Sequence, residues 1–226
     1  MRESLGRIVA IVLAAAAPLA ARGGVAKLAS VQNHVETRPA TTGAWSASSL
    51  DQELFERDHV RTGAASRAAI LYSDQTLHRL NEKSEVEILP PAAGGPGLLR
   101  VLSGTHYFSS RTPKDYGRIE TPTVTAAIKG TEFVIAIDEH GATTITMLEG
   151  VVDASNPQGS IEVHEGEAAY VEPGKAPVRR VVVRPADAVA WTLYYPPVLG
   201  GRDAQDGELA EAARLLAAGQ VEAARA

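Results

Sequence analysis

"TPTVTAAIKGTEFVIAID", Thr121 to Asp138, is mostly β-branched and apolar, yet a lysine and a glutamate stand three apart around a glycine. Within "EFVIAID", Phe133, Ile135 and Ile137 fall on one face and Val134, Ala136 and Asp138 on the other. That period of two is a strand. "EHG" at Glu139 to Gly141 supplies a turn, and "TTITMLEG" returns with Thr143, Ile145 and Met147 alternating against Thr144, Thr146 and Leu148. The pair predicts a hairpin. Gly130 permits a positive φ or a close backbone approach that a side chain would obstruct. Lys129 and Glu132 then read as solvated flanks, and Phe133 begins the inward face.

Working outward, glycines at 130, 141, 150, 159, 166 and 174 divide the second half into pieces of 7 to 11 residues. "NPQG" at Asn156 to Gly159 and Pro173-Gly174 mark further turns. Short alternating strands at this spacing predict a mainly β fold, a sandwich, barrel or solenoid, over residues 24–184. "LPPAAGGPG", Leu89 to Gly97, is a loop between two strand-rich halves. After Arg184 the period changes. "PADAVAWTLYY" predicts a helix with Asp187 near its start, and the Ala- and Leu-rich end makes residues 185–226 a helical tail.

The N-terminus places Arg2 and Arg7 ahead of an uncharged run from Ile8 to Ala21, followed by small residues. Such a run is too short for a membrane span, which needs roughly 20 residues. It suits the apolar region of a secretory signal peptide over residues 1–23. The mature protein is then expected in the periplasm or secreted, with no membrane-spanning segment. The chain has 226 residues, a net charge of −5 and no cysteine, which excludes disulfides, thiolate metal sites and cysteine nucleophiles. Seventeen arginines and five lysines spread singly give no basic stripe for phosphates, so nucleic acid is not an expected partner.

Taken together, these motifs resemble the FecR domain family of bacterial cell-envelope proteins. The family pattern is matched by Thr121-Pro122, "IKGTEF" with Lys129, Gly130, Thr131, Glu132 and Phe133, "MLEGVV" with Leu148, Glu149 and Gly150, the "NPQG" turn, and Gly166-Glu167. Upstream, "HVRTGAASRAAILYSDQTLHRL" from His59 looks like the family's Thr-Gly and Ser-Arg-Ala segment, preceded by Asp58. Two residues depart from the pattern. Arg57 stands where the family has a glycine, and Gln75 stands in its Asp-Gly turn, which predicts a different turn type at Ser73 to Thr76. The resemblance implies a sandwich or solenoid-like FecR β-domain. The sigma-factor role of the best-known members does not carry over, because their cytosolic region and spanning helix have no counterpart in this sequence. "EAARLLAAGQVEAARA" is similar to the start of a tetratricopeptide repeat, a short unit that cannot bury its own face alone.

No catalytic, metal or cofactor-binding residues emerge. There is no HExxH, phosphate-binding loop, nucleophile elbow or calcium loop. The six histidines, at 34, 59, 78, 106, 140 and 164, are scattered and read as surface residues. "DEHG" at Asp138 to Gly141 reads as a turn. "GEAAYVEPG" from Gly166 has the outline of a cupin motif, but no His-x-His accompanies it, and Lys175-Ala176-Pro177 follows where a ligand would be needed. The expected function is a non-enzymatic envelope interaction or sensing module with a protein partner. The alternative is a carbohydrate- or cell-wall-binding domain, with Trp45, Trp191 and Tyr194-Tyr195 as stacking candidates.

Overall fold

The computed structural model describes residues 24–90, 98–182 and 184–193, without the side chains of 98, 111–116 and 193. The expected signal peptide, the center of the Pro/Gly-rich loop and the tail beyond 193 lie outside the described residues. Fourteen strands are described. They are β1 (Ala26–Gln32), β2 (Val35–Arg38), β3 (Ser46–Ala47), β4 (Glu53–Leu54), β5 (His59–Thr62), β6 (Arg67–Tyr72), β7 (Leu77–Leu80) and β8 (Glu85–Leu89) in the first half. The second half has β9 (Leu98–Glu120), β10 (Thr125–Ile137), β11 (Thr143–Asn156), β12 (Gly159–His164), β13 (Glu167–Val171) and β14 (Val178–Val181). The chain is mainly β, with antiparallel pairing between these strands.

Hydrogen bonding joins the strands into one continuous sheet whose main path runs β14-β13-β11-β10-β9-β7-β6-β1-β4. The long strands change partners part-way. In β9, Leu98 to Ser103 pair with β8, whereas Gly104 to Ser109 pair with β10. In β11, Thr143 to Thr146 pair with β13, and Val151 to Asn156 pair with β12. Strands that switch partners turn corners at bulges and bends. Gly104 marks one corner: its φ is +83°, and a Cβ there would lie 2.5 Å from Ser84 Cα. Inward residues from both halves, including Leu28, Ile70, Val86, Phe108, Phe133, Ile145 and Val163, form one apolar cluster. Fully burying a side chain of this size contributes about 1.5–3 kcal/mol.

The hairpins fall where the sequence places them. At the β10–β11 turn, Asp138 Oδ1 accepts hydrogen bonds from the amides of His140 and Ala142, and Gly141 has a φ of +81°. At the β11–β12 turn, Asn156 Oδ1 accepts from the Gln158 amide. In the turn at Ser73 to Thr76, Asp74 Oδ1 accepts a hydrogen bond from the Thr76 amide. Gln75 has a φ of 67°, and Arg57 has a φ of 68°. Both hold the left-handed conformation that glycine favours.

Within the expected C-terminal helical segment, the described residues form a 3-10 helix, Pro185–Leu193, with Asp187 in its first turn. It contacts β11 and lies against the outer face of the sheet, where Arg79 Nη1 donates to the Thr192 carbonyl at 2.8 Å. On that face Val134, Thr146 and Ala168 form a cross-strand row and are buried. At Val134 the side of β10 that points away from the core is therefore shielded, while Ala127 and Lys129 further along the strand are exposed.

Candidate functional site

The motif residues meet at a second corner. Gly130 of β10 pairs with Gly150 of β11, and the register shifts immediately beyond them, leaving Thr131 and Leu148 outside the ladder. The same break occurs against β9, where Gly130 pairs with Lys114 but Glu132 pairs with Ser109. Thr131 is thus a bulge residue on both sides of β10. A Cβ on Gly130 would lie 2.4 Å from the Glu149 carbonyl oxygen, and one on Gly150 would lie 2.4 Å from that of Lys129. Of the two sequence-based options for Gly130, close approach is therefore the one realised. The positive φ belongs to Gly150, at +117°.

The other motif residues surround or extend this corner. Lys129 and Glu149 are exposed, Leu148 is half-buried, and Phe133 is fully buried with its ring stacked on Phe108 at 4.7 Å. Glu132 departs from its expected role as a solvated flank: it is half-buried and accepts a 2.7 Å hydrogen bond from the Tyr107 hydroxyl. Burial first, then this carboxylate, pushes the Tyr107 phenol up to about 12. The Thr131 hydroxyl is buried without a hydrogen-bond partner. Thr121 and Pro122 form the β9–β10 turn, where Thr121 Oγ1 donates to the Val124 carbonyl at 2.9 Å. Gly166, with a φ of +78°, is in the turn before β13, and its amide donates to the Met147 carbonyl.

The reading of all six histidines as surface residues is wrong for two of them. His78 and His106 are fully buried. His78 Nε2 lies 2.9 Å from His106 Nδ1, His106 Nε2 lies 2.8 Å from the Ser103 carbonyl, and the Tyr72 hydroxyl lies 3.3 Å from His78 Nδ1. Because a carbonyl only accepts, His106 Nε2 carries the proton and a neutral His106 accepts at Nδ1. His78 Nε2 therefore donates, leaving Nδ1 to accept from Tyr72. The order of donors is Tyr72, His78, His106. Burial holds His78 well below the usual imidazole range and lowers His106 to about 4. The His78 ring also stacks on Phe108 at 4.0 Å, so the relay is part of the core. No group of three His, Cys, Asp or Glu residues able to hold a metal occurs among the described residues.

A face of alternating charge is formed by β2, β5, β8 and the start of β9. Arg38 pairs in register with His59, His59 with Glu87, and Glu87 with Arg100, while Glu36, Arg61 and Glu85 make a parallel row. Arg61 Nη2 lies 2.7 Å from Glu36, and Arg100 bridges Glu87 and Glu120 at 2.8 Å each. The hydrogen bond to Glu120 heads the interactions that raise the Arg100 pKa. Trp45 covers one end, with the Arg61 guanidinium 4.0 Å and the Arg38 guanidinium 5.0 Å from its ring. A ring so occupied is poorly placed as an open sugar platform. The arrangement suits protein recognition, because these half-buried rows present both signs of charge to a partner of complementary pattern.

A model of the family described as FecR protein matches residues 58–153. The match contains both halves of the glycine corner and the two buried histidines, and stops short of Gly166. Two crystal structures of a Parabacteroides distasonis ATCC 8503 protein, provisionally named an anti-sigma factor, are similar to the chain at 14% identity and a TM-score of 0.47. The similarity covers 55% of this chain and 59% of that protein. No curated protein matches the chain.

Proposed function

We propose that the protein is a non-catalytic FecR-like interaction or sensing module of envelope signalling or assembly, exported to the periplasm or beyond and recognising another envelope protein. The FecR match over residues 58–153 is the observation that carries this reading. In it the glycine corner is scaffold, the β-domain of residues 24–184 is the working unit, and the ladder around Trp45 is the contact surface. Among the described residues no helix is long and apolar enough to cross a membrane. The test is photocrosslinking in envelope extract from a residue analogue placed at Ser46, beside Trp45, with Arg38→Glu/Arg61→Glu as the matched variant. A discrete crosslinked protein that the double variant loses supports the proposal. Equal capture by both overturns this surface as the contact.

A further inference from the structure

At the end of the 3-10 helix a cavity of about 260 Å³ opens on the outer face of β1, β6 and β7. Trp191 and Thr192 form one wall, Arg67 and Arg79 enter from the strands, and Ala29 and Ala69 make a small-residue floor. Ser30 and Gln32 add a hydroxyl and an amide to the lining. The Trp191 indole is fixed by its Nε1–H, which donates to the Ala188 carbonyl at 3.0 Å. Arg79 is fixed by its bond to the Thr192 carbonyl. The wall and one cation are thus positioned before any ligand arrives, which lowers the ordering cost of binding.

We propose that this cavity binds a single acidic sugar unit, with its carboxylate at Arg67 and Arg79 and its ring against Trp191. Two guanidiniums match a carboxylate through paired, charge-assisted N–H donors. An indole offers a flat apolar surface, and the serine, threonine and glutamine side chains supply groups for ring hydroxyls. The volume lies just below the roughly 300–1,000 Å³ of drug-sized sites, which suits one ring. An extended acidic peptide would use the arginines but has no ring to set against the Trp191 wall. The site is on a different face from the ladder, so this inference stands independently of the signalling reading.

The test is titration of the full chain with glucuronate, glucose and tetraglutamate, following the Trp191 indole N–H by NMR with the Trp45 indole as an internal reference. Glucuronate is expected to shift Trp191 saturably with a Kd on the order of 1 mM, typical of a few polar contacts. Glucose should bind at least about tenfold more weakly, the factor given by a loss of 1.4 kcal/mol. Arg67→Gln should abolish the shift. Ala29→Glu, at an exposed position on the floor, should weaken glucuronate by a similar factor through like-charge repulsion without removing either arginine. Absence of a saturable Trp191 shift overturns the proposal, as does equal binding of glucose, tighter binding of tetraglutamate, or unchanged affinity in Ala29→Glu.

Discussion

Mild acid should destabilise this protein through the two histidines in its core. In the folded state His78 and His106 are held neutral by burial, the latter down to about 4. In the unfolded chain each returns to about 6.5. Between those values the unfolded state binds more protons, so stability rises with pH and is lost as pH falls. The contribution is complete above about pH 6.5 and declines by up to 1.4 kcal/mol per pH unit for each ring below it. At pH 5 that is about 2 kcal/mol for His106, with a loss of the same sign from His78, a large share of the roughly 5–15 kcal/mol that stabilises a typical domain. Among the described residues the hydrogen-bond partners of the relay are the Tyr72 hydroxyl, the Ser103 carbonyl and the other imidazole, none of them an acid, and Phe108 stacks beside them. Asp74 acts on Tyr72, whose pKa is raised by burial and then by that carboxylate.

The assay is urea unfolding from about pH 7.5 to 5, a window above most carboxylate titrations. The matched variant is His78→Leu/His106→Leu. It leaves the Tyr72 hydroxyl and the Ser103 carbonyl without ring partners, a penalty of about 1–3 kcal/mol each that does not depend on pH. Its unfolding midpoint should therefore be lower at neutral pH but much flatter with acid. The four other histidines, at 34, 59, 140 and 164, stay in place as a built-in control. A wild-type stability that is flat over the window, or an acid slope that survives in the double variant, would refute the reasoning.

At the glycine corner, Gly130→Ala should cost about 1–3 kcal/mol by forcing β10 and β11 apart, and Gly150→Ala as much through its backbone conformation; thermal unfolding of both variants checks this. Arg57→Gly and Gln75→Gly should raise stability by up to about 1 kcal/mol, because relief of left-handed strain outweighs the added chain entropy, and a loss of 1 kcal/mol in urea would contradict the assigned conformations. Lys129→Ala should change stability by under about 0.5 kcal/mol, whereas Tyr107→Phe should cost about 1–2 kcal/mol by removing the donor to half-buried Glu132.

Period-two alternation placed Phe133, Ile135 and Ile137 inward correctly because each strand face is a local property of sequence. The same rule held the information about the histidines. His78 has the parity of Leu80, with Arg79 between them pointing outward, and His106 has the parity of Phe108. Treating histidine as a surface residue by type discarded that signal. What parity could not give was pairing. Gly130 and Gly150 lie twenty residues apart, and that each excludes a Cβ because of the other depends on register across two strands. The burial of Val134 and Thr146 was hidden for a related reason, since it depends on what packs on the outer face of the sheet and not on the alternation of the strand itself.

The position of the motif bears on where specificity can reside. Gly130 and Gly150 meet backbone to backbone, Phe133 is in the core, and Thr121 bonds within its own turn, so few motif side chains are available to a partner. A sequence under only the demands of this corner is free to vary on its faces. The residues that can discriminate one partner from another are therefore the outward ones: the Glu36, Arg61 and Glu85 row around Trp45, and the arginines beside Trp191. Two proteins sharing the corner can then share a fold without sharing a ligand, since recognition follows from site chemistry. For this chain the two faces make separable demands. Reversing charge at Arg38 and Arg61 alters the ladder while leaving the Trp191 cavity unchanged, and Ala29→Glu does the converse.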